Sequence, residues 1–387
     1  MKLVFYDYVF EQDRPGTTGL SPNAWEAAAA LAALGEDVHL VGPYPPGTVA
    51  PEGVTLHSYP LPPINYRNVI GHMLIVLKGG LFIRRDIPDY DLVHAFEYLS
   101  SAALTLLGLK PVVLTTPGNI YERVHSGKNA FYVTMTVTLK VAARLSAKRC
   151  QHIIATSSAM KDWWQRTGAD NGKITVQPYG VADVFRPHPQ ALSRVGWDGR
   201  QKHLLFVGRL SPEKGLEVLL RAWPQVVASQ ANVHLHVVGQ GPRLESAQRL
   251  VRQLGITDRV TFHGWIDKSE LPWIYSASYA LVVPSFSEPL GRVILEAMAS
   301  RILVIGSNVG GIPDLVKDHE TGLLFNRGEV DELAQKLVWA LAHEAEVEAL
   351  AQAAMTYIDT YQRWPRVAQR LRDKVYRPVL EERSPHD

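Results

Sequence analysis

Two carboxylates eight positions apart, Glu288 and Glu296, and two cations five apart, Arg209 and Lys214, are the side chains here best suited to chemistry. Glu288 lies in Ser285-Phe-Ser-Glu-Pro-Leu-Gly-Arg-Val-Ile-Leu-Glu-Ala-Met-Ala299, where a short loop runs into helix formers with an apolar face. Pro289 suits a first helical position, so a helix is predicted over Leu290–Met298, with Glu288 just ahead of it and Glu296 inside it. A helix start offers backbone N–H groups that attract a phosphate, and a carboxylate beside it can bind sugar hydroxyls. That pairing points to a nucleotide-sugar diphosphate as ligand. In Phe206-Val-Gly-Arg-Leu-Ser-Pro-Glu-Lys-Gly215, Ser211 can cap a second helix, Pro212 can take its first position, and Lys214 falls in its first turn. A lysine there opposes the helix dipole at a cost of about a few tenths of a kcal/mol, and a bound anion reverses the sign. Arg209 approaches the same anion from the loop.

Strands and helices must alternate to position these loops. Leu3–Tyr6, Val38–Val41, Leu92–His94, Val112–Thr115 and Ile153–Ala155 read as buried strands, with helices over Asn23–Leu34 and Phe131–Ala147. Leu204–Val207, Val233–Val238, Val260–Phe262, Ala280–Val283 and Leu303–Ile305 repeat the pattern in the second half. Such βαβ alternation implies parallel sheets covered by helices on both faces. The fold class is α/β, two doubly wound Rossmann-like domains, with a cleft between them the natural place for a ligand. The junction is expected near Asp183-Val-Phe-Arg-Pro-His-Pro189, giving domains at 1–185 and 186–363, with a last helix from Trp364 (364–387) crossing back onto the first.

A chain of 387 residues, 46% apolar, has the length for about two domains of roughly 150 residues or more. A net charge of +2 is too balanced to suggest nucleic-acid binding. Cys150 is the sole cysteine, which excludes an internal disulfide and fits a reducing, cytoplasmic setting. The apolar stretch Val69–Ile83 falls short of the roughly 20 residues that span a bilayer. Tyr66–Arg85 nevertheless mixes Ile, Leu, Val, Met and Phe with Arg67, Lys78, Arg84 and Arg85. Two readings stay open: a core helix with snorkelling basic ends, or a surface that lies on an anionic membrane at its inner face and delivers a lipid-linked acceptor.

Taken together, Gly208-Arg-Leu-Ser-Pro-Glu-Lys-Gly215, Val238-Gly-Gln-Gly-Pro242, Gly264-Trp-Ile-Asp267, Val283-Pro-Ser285, the Glu288/Glu296 pair and Gly310-Gly-Ile-Pro-Asp314 with Gly322-Leu-Leu-Phe325 resemble glycosyltransferase family four. These are the retaining transferases of the GT-B fold. The resemblance implies a metal-independent hexosyl transfer from a nucleoside diphosphate sugar, UDP- or GDP-linked, to a hydroxyl acceptor. It implies no cofactor beyond that substrate. Arg209 and Lys214 would hold the donor diphosphate, Glu288 the hydroxyls of the transferred sugar, and Glu296 the nucleotide ribose. Backbone groups of Leu290, Gly291 and Arg292 would complete the phosphate cradle. Gly208, Gly239 and Ser285 would line the donor site, and Ile266 would run beside the base. The first domain would take the acceptor and the second the donor.

The first half matches less closely. Pro15-Gly-Thr-Thr-Gly-Leu20 stands where the family has a glycine-rich loop, and Gly16 and Gly19 permit close backbone approach to the donor phosphate. Where members often carry a His, the run Leu114-Thr-Thr-Pro-Gly118 offers Pro117. Gly118, His94 and His125 are therefore the candidate acceptor-side positions, His94 with a competing structural reading. Asp89-Tyr-Asp91 mimics a manganese-binding pair but reads better as the lead-in to the strand at Leu92. Gly239-Gln-Gly241 begins a dinucleotide fingerprint, yet Leu244 stands at the third glycine. Rival functions are a nucleotide-sugar epimerase on the same scaffold and a catalytically inactive nucleotide-sugar-binding protein.

Overall fold

The computed structural model describes residues 1–6, 22–60, 69–116 and 130–382, and they divide into two units. One comprises Met1–Gly180 with Trp364–Asp387, the other Val181–Arg363. The first holds β1 (Lys2–Tyr6), β2 (Asp37–Gly42), β3 (Val54–Ser58), β4 (Leu92–Ala95), β5 (Val112–Thr116), β6 (His152–Ala155) and β7 (Ile174–Val176). The second holds β8 (Lys202–Val207), β9 (Val233–Val238), β10 (Val260–Gly264), β11 (Ala280–Val283), β12 (Leu303–Ser307) and β13 (Leu323–Phe325).

The sheet orders are β3-β2-β1-β4-β5-β6-β7 and β10-β9-β8-β11-β12-β13. All pairings are parallel; Leu3 faces both Val38 and Leu92, and Leu281 faces Leu205 and Val304. Each sheet reverses its direction of growth once, between β1 and β4 and between β8 and β11. Open α/β sheets collect ligands outside the strand C-termini at that reversal. Three strands escape the sequence reading: β3, β7 and β13. Each is a sheet edge of three to five residues: β3 and β7 interleave polar with apolar residues, and β13, Leu-Leu-Phe, is an apolar run too short to stand out as a strand.

Alternate residues of each strand divide between two faces. In the first unit Val4, Tyr6, Val93 and Ala95 pack with Ile75, Ile83, Ala102 and Ala143 of the helices Val69–Asp86, Tyr98–Leu106 and Ala130–Arg149. Helix Pro22–Ala32 packs against Trp364–Leu371, where Trp364 Nε1 donates to Glu26 Oε2 at 2.6 Å. In the second unit Leu204, Phe206, Leu235, Val237 and Val282 meet Leu219, Trp223 and Leu337 of helices Leu216–Ser229 and Val330–Ala342. No helix among the described residues is long and apolar enough to cross a membrane.

Candidate functional site

Arg209 and Lys214 lie on the loop after β8, and Glu288 on the loop after β11. These strands flank the reversal of the second sheet. The loops are stitched together: Phe286 N–H donates to the Glu213 carbonyl at 2.8 Å, and Lys214 Nζ donates to Glu288 Oε2 at 2.5 Å. The Glu288 side chain is 8% exposed and that of Lys214 24%, so the pair is shielded on one side and open on the other. Ser211 Oγ donates to Glu213 Oε1 at 2.6 Å. Burial pushes the Glu213 carboxyl up, but the Ser211 hydroxyl and the nearby Arg209 and Lys214 charges outweigh it and hold it below the ordinary carboxylate value. Two cations and two carboxylates thus meet within one pair of loops.

Two glycines make this closeness possible. Gly215 has φ +66°, and a Cβ there would stand 1.9 Å from the Pro284 carbonyl oxygen. Gly310, on the loop after β12, has φ +58°, and its Cβ would stand 2.1 Å from the Glu288 carbonyl oxygen. That carbonyl accepts the Gly311 N–H at 2.8 Å, which fixes the backbone from which the carboxylate projects. Left-handed glycines, Gly215 and Gly291, also correct both predicted helix starts. Pro212–Lys214 is a 3-10 turn, and the α-helix opens only at Leu216 after left-handed Gly215. Lys214 therefore precedes the helix and does not sit in its first turn, and Ser211 bonds Glu213 instead of capping. The second helix runs Arg292–Ala299 after Gly291 at φ +88°, which leaves Pro289 and Leu290 in the loop.

Glu296 lies one turn into that helix. It accepts from Tyr275 Oη at 2.9 Å, and Arg292 Nη2 stands 3.9 Å from its other oxygen. Burial pushes the Tyr275 phenol well above its ordinary value, so it remains a donor. Ser285 is 1% exposed and its carbonyl accepts from Ser307 Oγ at 2.5 Å. Gly208 N–H donates to the Val238 carbonyl at 3.0 Å and Gly239 N–H to the Gly264 carbonyl at 2.7 Å, so both serve the loop scaffold through those groups. Ile266 is half-buried on the loop after β10. Tyr275, Glu213 and Gly310 were not singled out as site residues from sequence. Glu213 and Gly310 lie inside matched motifs, whereas Tyr275 carries no local signal.

In the first unit His94 is 1% exposed, with Nδ1 bonded to Tyr376 Oη and Nε2 to Thr115 Oγ1, both at 2.8 Å. Burial lowers its pKa to about 3. It is a neutral core histidine with both nitrogens engaged, which corrects the acceptor-side expectation. Asp89 pairs with Lys2 Nζ at 2.7 Å and Asp91 accepts the Lys2 backbone N–H at 2.7 Å, which ties β1 to the lead-in of β4. Among the described residues no group of histidines, cysteines and carboxylates could hold a metal ion. Gly16, Gly19, Pro117, Gly118 and His125 lie outside the described residues.

Residues 190–356 match the family model described as glycosyl transferases group 1, and residues 18–185 the one described as Glycosyltransferase Family 4. The chain is 31% identical to the GDP-mannose-dependent alpha-(1-6)-phosphatidylinositol monomannoside mannosyltransferase of Mycobacterium tuberculosis, over 80% of this chain and 83% of that protein. It is 32% identical to the D-inositol 3-phosphate glycosyltransferase of Segniliparus rotundus, over 81% of this chain and 73% of that protein. Among solved structures, sucrose-phosphate synthase from Thermosynechococcus elongatus superposes with a TM-score of 0.82 at 23% identity, covering 99% of this chain and 100% of that one. That likeness is one of fold, the GT-B architecture with its two Rossmann-like units.

Proposed function

The chain belongs to glycosyltransferase family four, and from that premise we propose that it moves a hexose from a nucleoside diphosphate sugar to a hydroxyl acceptor with retention of anomeric configuration. The observation that carries this reading is the Lys214–Glu288 pair at the reversal of the second sheet. A donor satisfies both partners: its diphosphate brings negative charge to Lys214, and its sugar brings hydroxyl donors to Glu288. Arg209, on the same loop and exposed, adds a second cation to the diphosphate.

As the sugar–phosphate bond breaks, charge builds on the departing nucleoside diphosphate, and Arg209 and Lys214 neutralise it. The backbone at Leu290, Gly291 and Arg292 cradles the phosphate at the start of the helix. Glu296, held by Tyr275, takes the ribose hydroxyls. The acceptor hydroxyl attacks from the departing side, and a leaving phosphate oxygen takes its proton. This chemistry needs no cofactor beyond the donor, since two side-chain cations occupy the place of a metal. The mannosyltransferase relative makes GDP-mannose the first donor to try, with a UDP-hexose as the comparison. The two relatives together make inositol-containing phosphates and lipids the first acceptors.

The test begins with thermal stabilisation by GDP, UDP, ADP and NAD at equal concentration; a ligand at a hundred times its Kd adds roughly 2.7 kcal/mol. One nucleoside diphosphate should stand out, and its mannosyl or glucosyl ester should then give a retained product with an acceptor. A shift with NAD alone overturns the reading. Conversion of the donor sugar without acceptor indicates an epimerase, and donor binding with no product from any acceptor indicates a non-catalytic binding protein.

A further inference from the structure

The run Gly239-Gln-Gly241, which begins a dinucleotide fingerprint without completing it, has a different use in the fold. It forms the loop after β9, between the loop after β8 that carries Arg209 and the loop after β10 that carries Ile266. A Cβ on Gly239 would stand 1.9 Å from the Gly208 carbonyl oxygen, and one on Gly241 2.4 Å from that of Leu210. No side chain fits at either position, so the two glycines let the three loops lie against one another. Hydrogen bonds then lock them. Leu210 N–H donates to the Gln240 carbonyl and Arg243 N–H to the Leu210 carbonyl, both at 2.9 Å, while Gly239 N–H donates to the Gly264 carbonyl at 2.7 Å.

Gln240 is thus held by its backbone on both sides, and its side chain is exposed. Its Nε2 lies over Gly264, 3.6 Å from where a Cβ on that glycine would stand. Among the described residues its carboxamide has no hydrogen-bond partner. Asp267, on the same β10 loop, accepts the Ser269 N–H and hydroxyl through Oδ1 at 2.9 and 2.7 Å and so closes its own turn. An uncharged group carrying a donor and an acceptor side by side adds little to a diphosphate site, which cations serve better. It matches the edge of a nucleobase, where an N–H or amino group stands beside a carbonyl or ring nitrogen. We propose that the Gln240 carboxamide pairs with the edge of the donor's base and sets which nucleoside diphosphate sugar the site prefers. This inference rests on the donor reading above, with the base beside Ile266 on the β10 loop. Nε2 donates to a base oxygen or ring nitrogen, and Oε1 accepts a base N–H. Purine and pyrimidine edges lie at different distances from the ribose, so an amide fixed against Gly264 registers with one and misses the other. The base that misses it gives up those hydrogen bonds and binds less tightly.

Titration calorimetry on the full chain with GDP, UDP and ADP and with their monophosphates gives the test. Wild type should favour one base. Gln240→Met keeps the length of the side chain and removes its hydrogen-bonding groups. It should bind the favoured nucleoside diphosphate about five- to tenfold more weakly, and the favoured monophosphate by the same factor, because the lost contact is at the base end. The preference over the other two bases should shrink by that factor too. Gln240→Ala should do the same, and since the side chain is exposed, both variants should melt as wild type does without ligand. Equal losses for all three bases would place the side chain away from the base and overturn the proposal. Unchanged affinities overturn it too, as does a wild type that binds the three bases alike. A wild type that binds none of them fails earlier, at the donor site itself, and removes both readings before any variant is made.

Discussion

Glu288 is gripped at both ends, its carboxylate by Lys214 Nζ at 2.5 Å and its carbonyl by the Gly311 N–H at 2.8 Å. Such a group is positioned before any ligand arrives, and little reorganisation remains to be done at the moment of reaction. On the proposed reading, Glu288→Ala should cut transfer by about two orders of magnitude or more while circular dichroism stays native; near-normal turnover would remove the residue from the mechanism. Lys214→Ala should weaken binding of a nucleoside diphosphate far more than that of the monophosphate, and equal losses by calorimetry would argue against a phosphate contact. Gly310→Ala acts through the backbone, because its Cβ meets the Glu288 carbonyl at 2.1 Å and the position is left-handed. The strain should cost about 1–3 kcal/mol and lower the melting temperature by several degrees. An unchanged melting curve would show that the loop yields freely. Glu288, Arg209 and Lys214 were legible in the sequence because proline, glycine and charge cluster after predicted strands. Tyr275 was not, since its hydroxyl reaches Glu296 across 21 residues and only the folded chain brings them together.

A row of imidazoles crosses one face of the second sheet at the level of its elements. His203 Nε2–H donates to the Asp198 carbonyl at 2.9 Å, and that carbonyl can only accept, so the tautomers along the row follow. His236 Nε2–H donates to His203 Nδ1 at 3.0 Å, and His263 Nε2–H to His236 Nδ1 at 2.8 Å. Trp197 stacks on His236 with ring centroids 3.7 Å apart. A proton on His236, which is buried, would set two donors face to face. Burial, then the neighbouring His234, His263 and His203, lower its pKa to about 2, and the other three histidines are lowered too. The unfolded chain takes up protons on these rings as pH falls through 6.5, and the folded chain does not. Stability is therefore full above pH about 6.5 and is lost progressively below it. Melting temperature should fall between pH 7.5 and pH 5, and His236→Gln should flatten that slope. An equal slope in the variant would assign acid sensitivity elsewhere, with buried His94 the first alternative. The row was not legible beforehand: its members come from three strands, and His263 sits at a register shift between Phe262 and Gly264. The central strands were legible because they are short, β-branched and apolar. The helices start four and two residues later than expected, at Leu216 and Arg292, because a proline fits a tight turn as readily as a first helical turn.

For the whole molecule, the two units are built from the chain in different ways. The second is continuous and its ends are tied together, with Val181 N–H donating to the Gln362 carbonyl at 2.8 Å and Arg363 Nη1 to the carbonyls of Ala182 and Phe185 at 3.2 and 3.0 Å. The first is discontinuous and depends on Trp364–Glu381 to cover one face of its sheet. Trp364 bonds Glu26, Arg370 Nε donates to Gln177 Oε1 at 2.7 Å, and Tyr376 Oη meets His94. Val367, Ala368, Val375 and Tyr376 are at most 1% exposed. Burying each large apolar side chain contributes about 1.5–3 kcal/mol, so deleting the segment removes on the order of 10 kcal/mol. A domain's whole stability is about 5–15 kcal/mol. Truncation after Arg363 should therefore unfold the first unit and spare the second, which keeps both of its ends. Hydrogen exchange resolves the two: slow amides in β1 and β4 should become fast while those in β8 and β11 stay protected. If β1 and β4 kept their protection, the returning helix would be an ornament on an already complete core, and the Tyr376–His94 bond would have no structural weight. If β8 and β11 lost theirs as well, the two units would be unfolding as one.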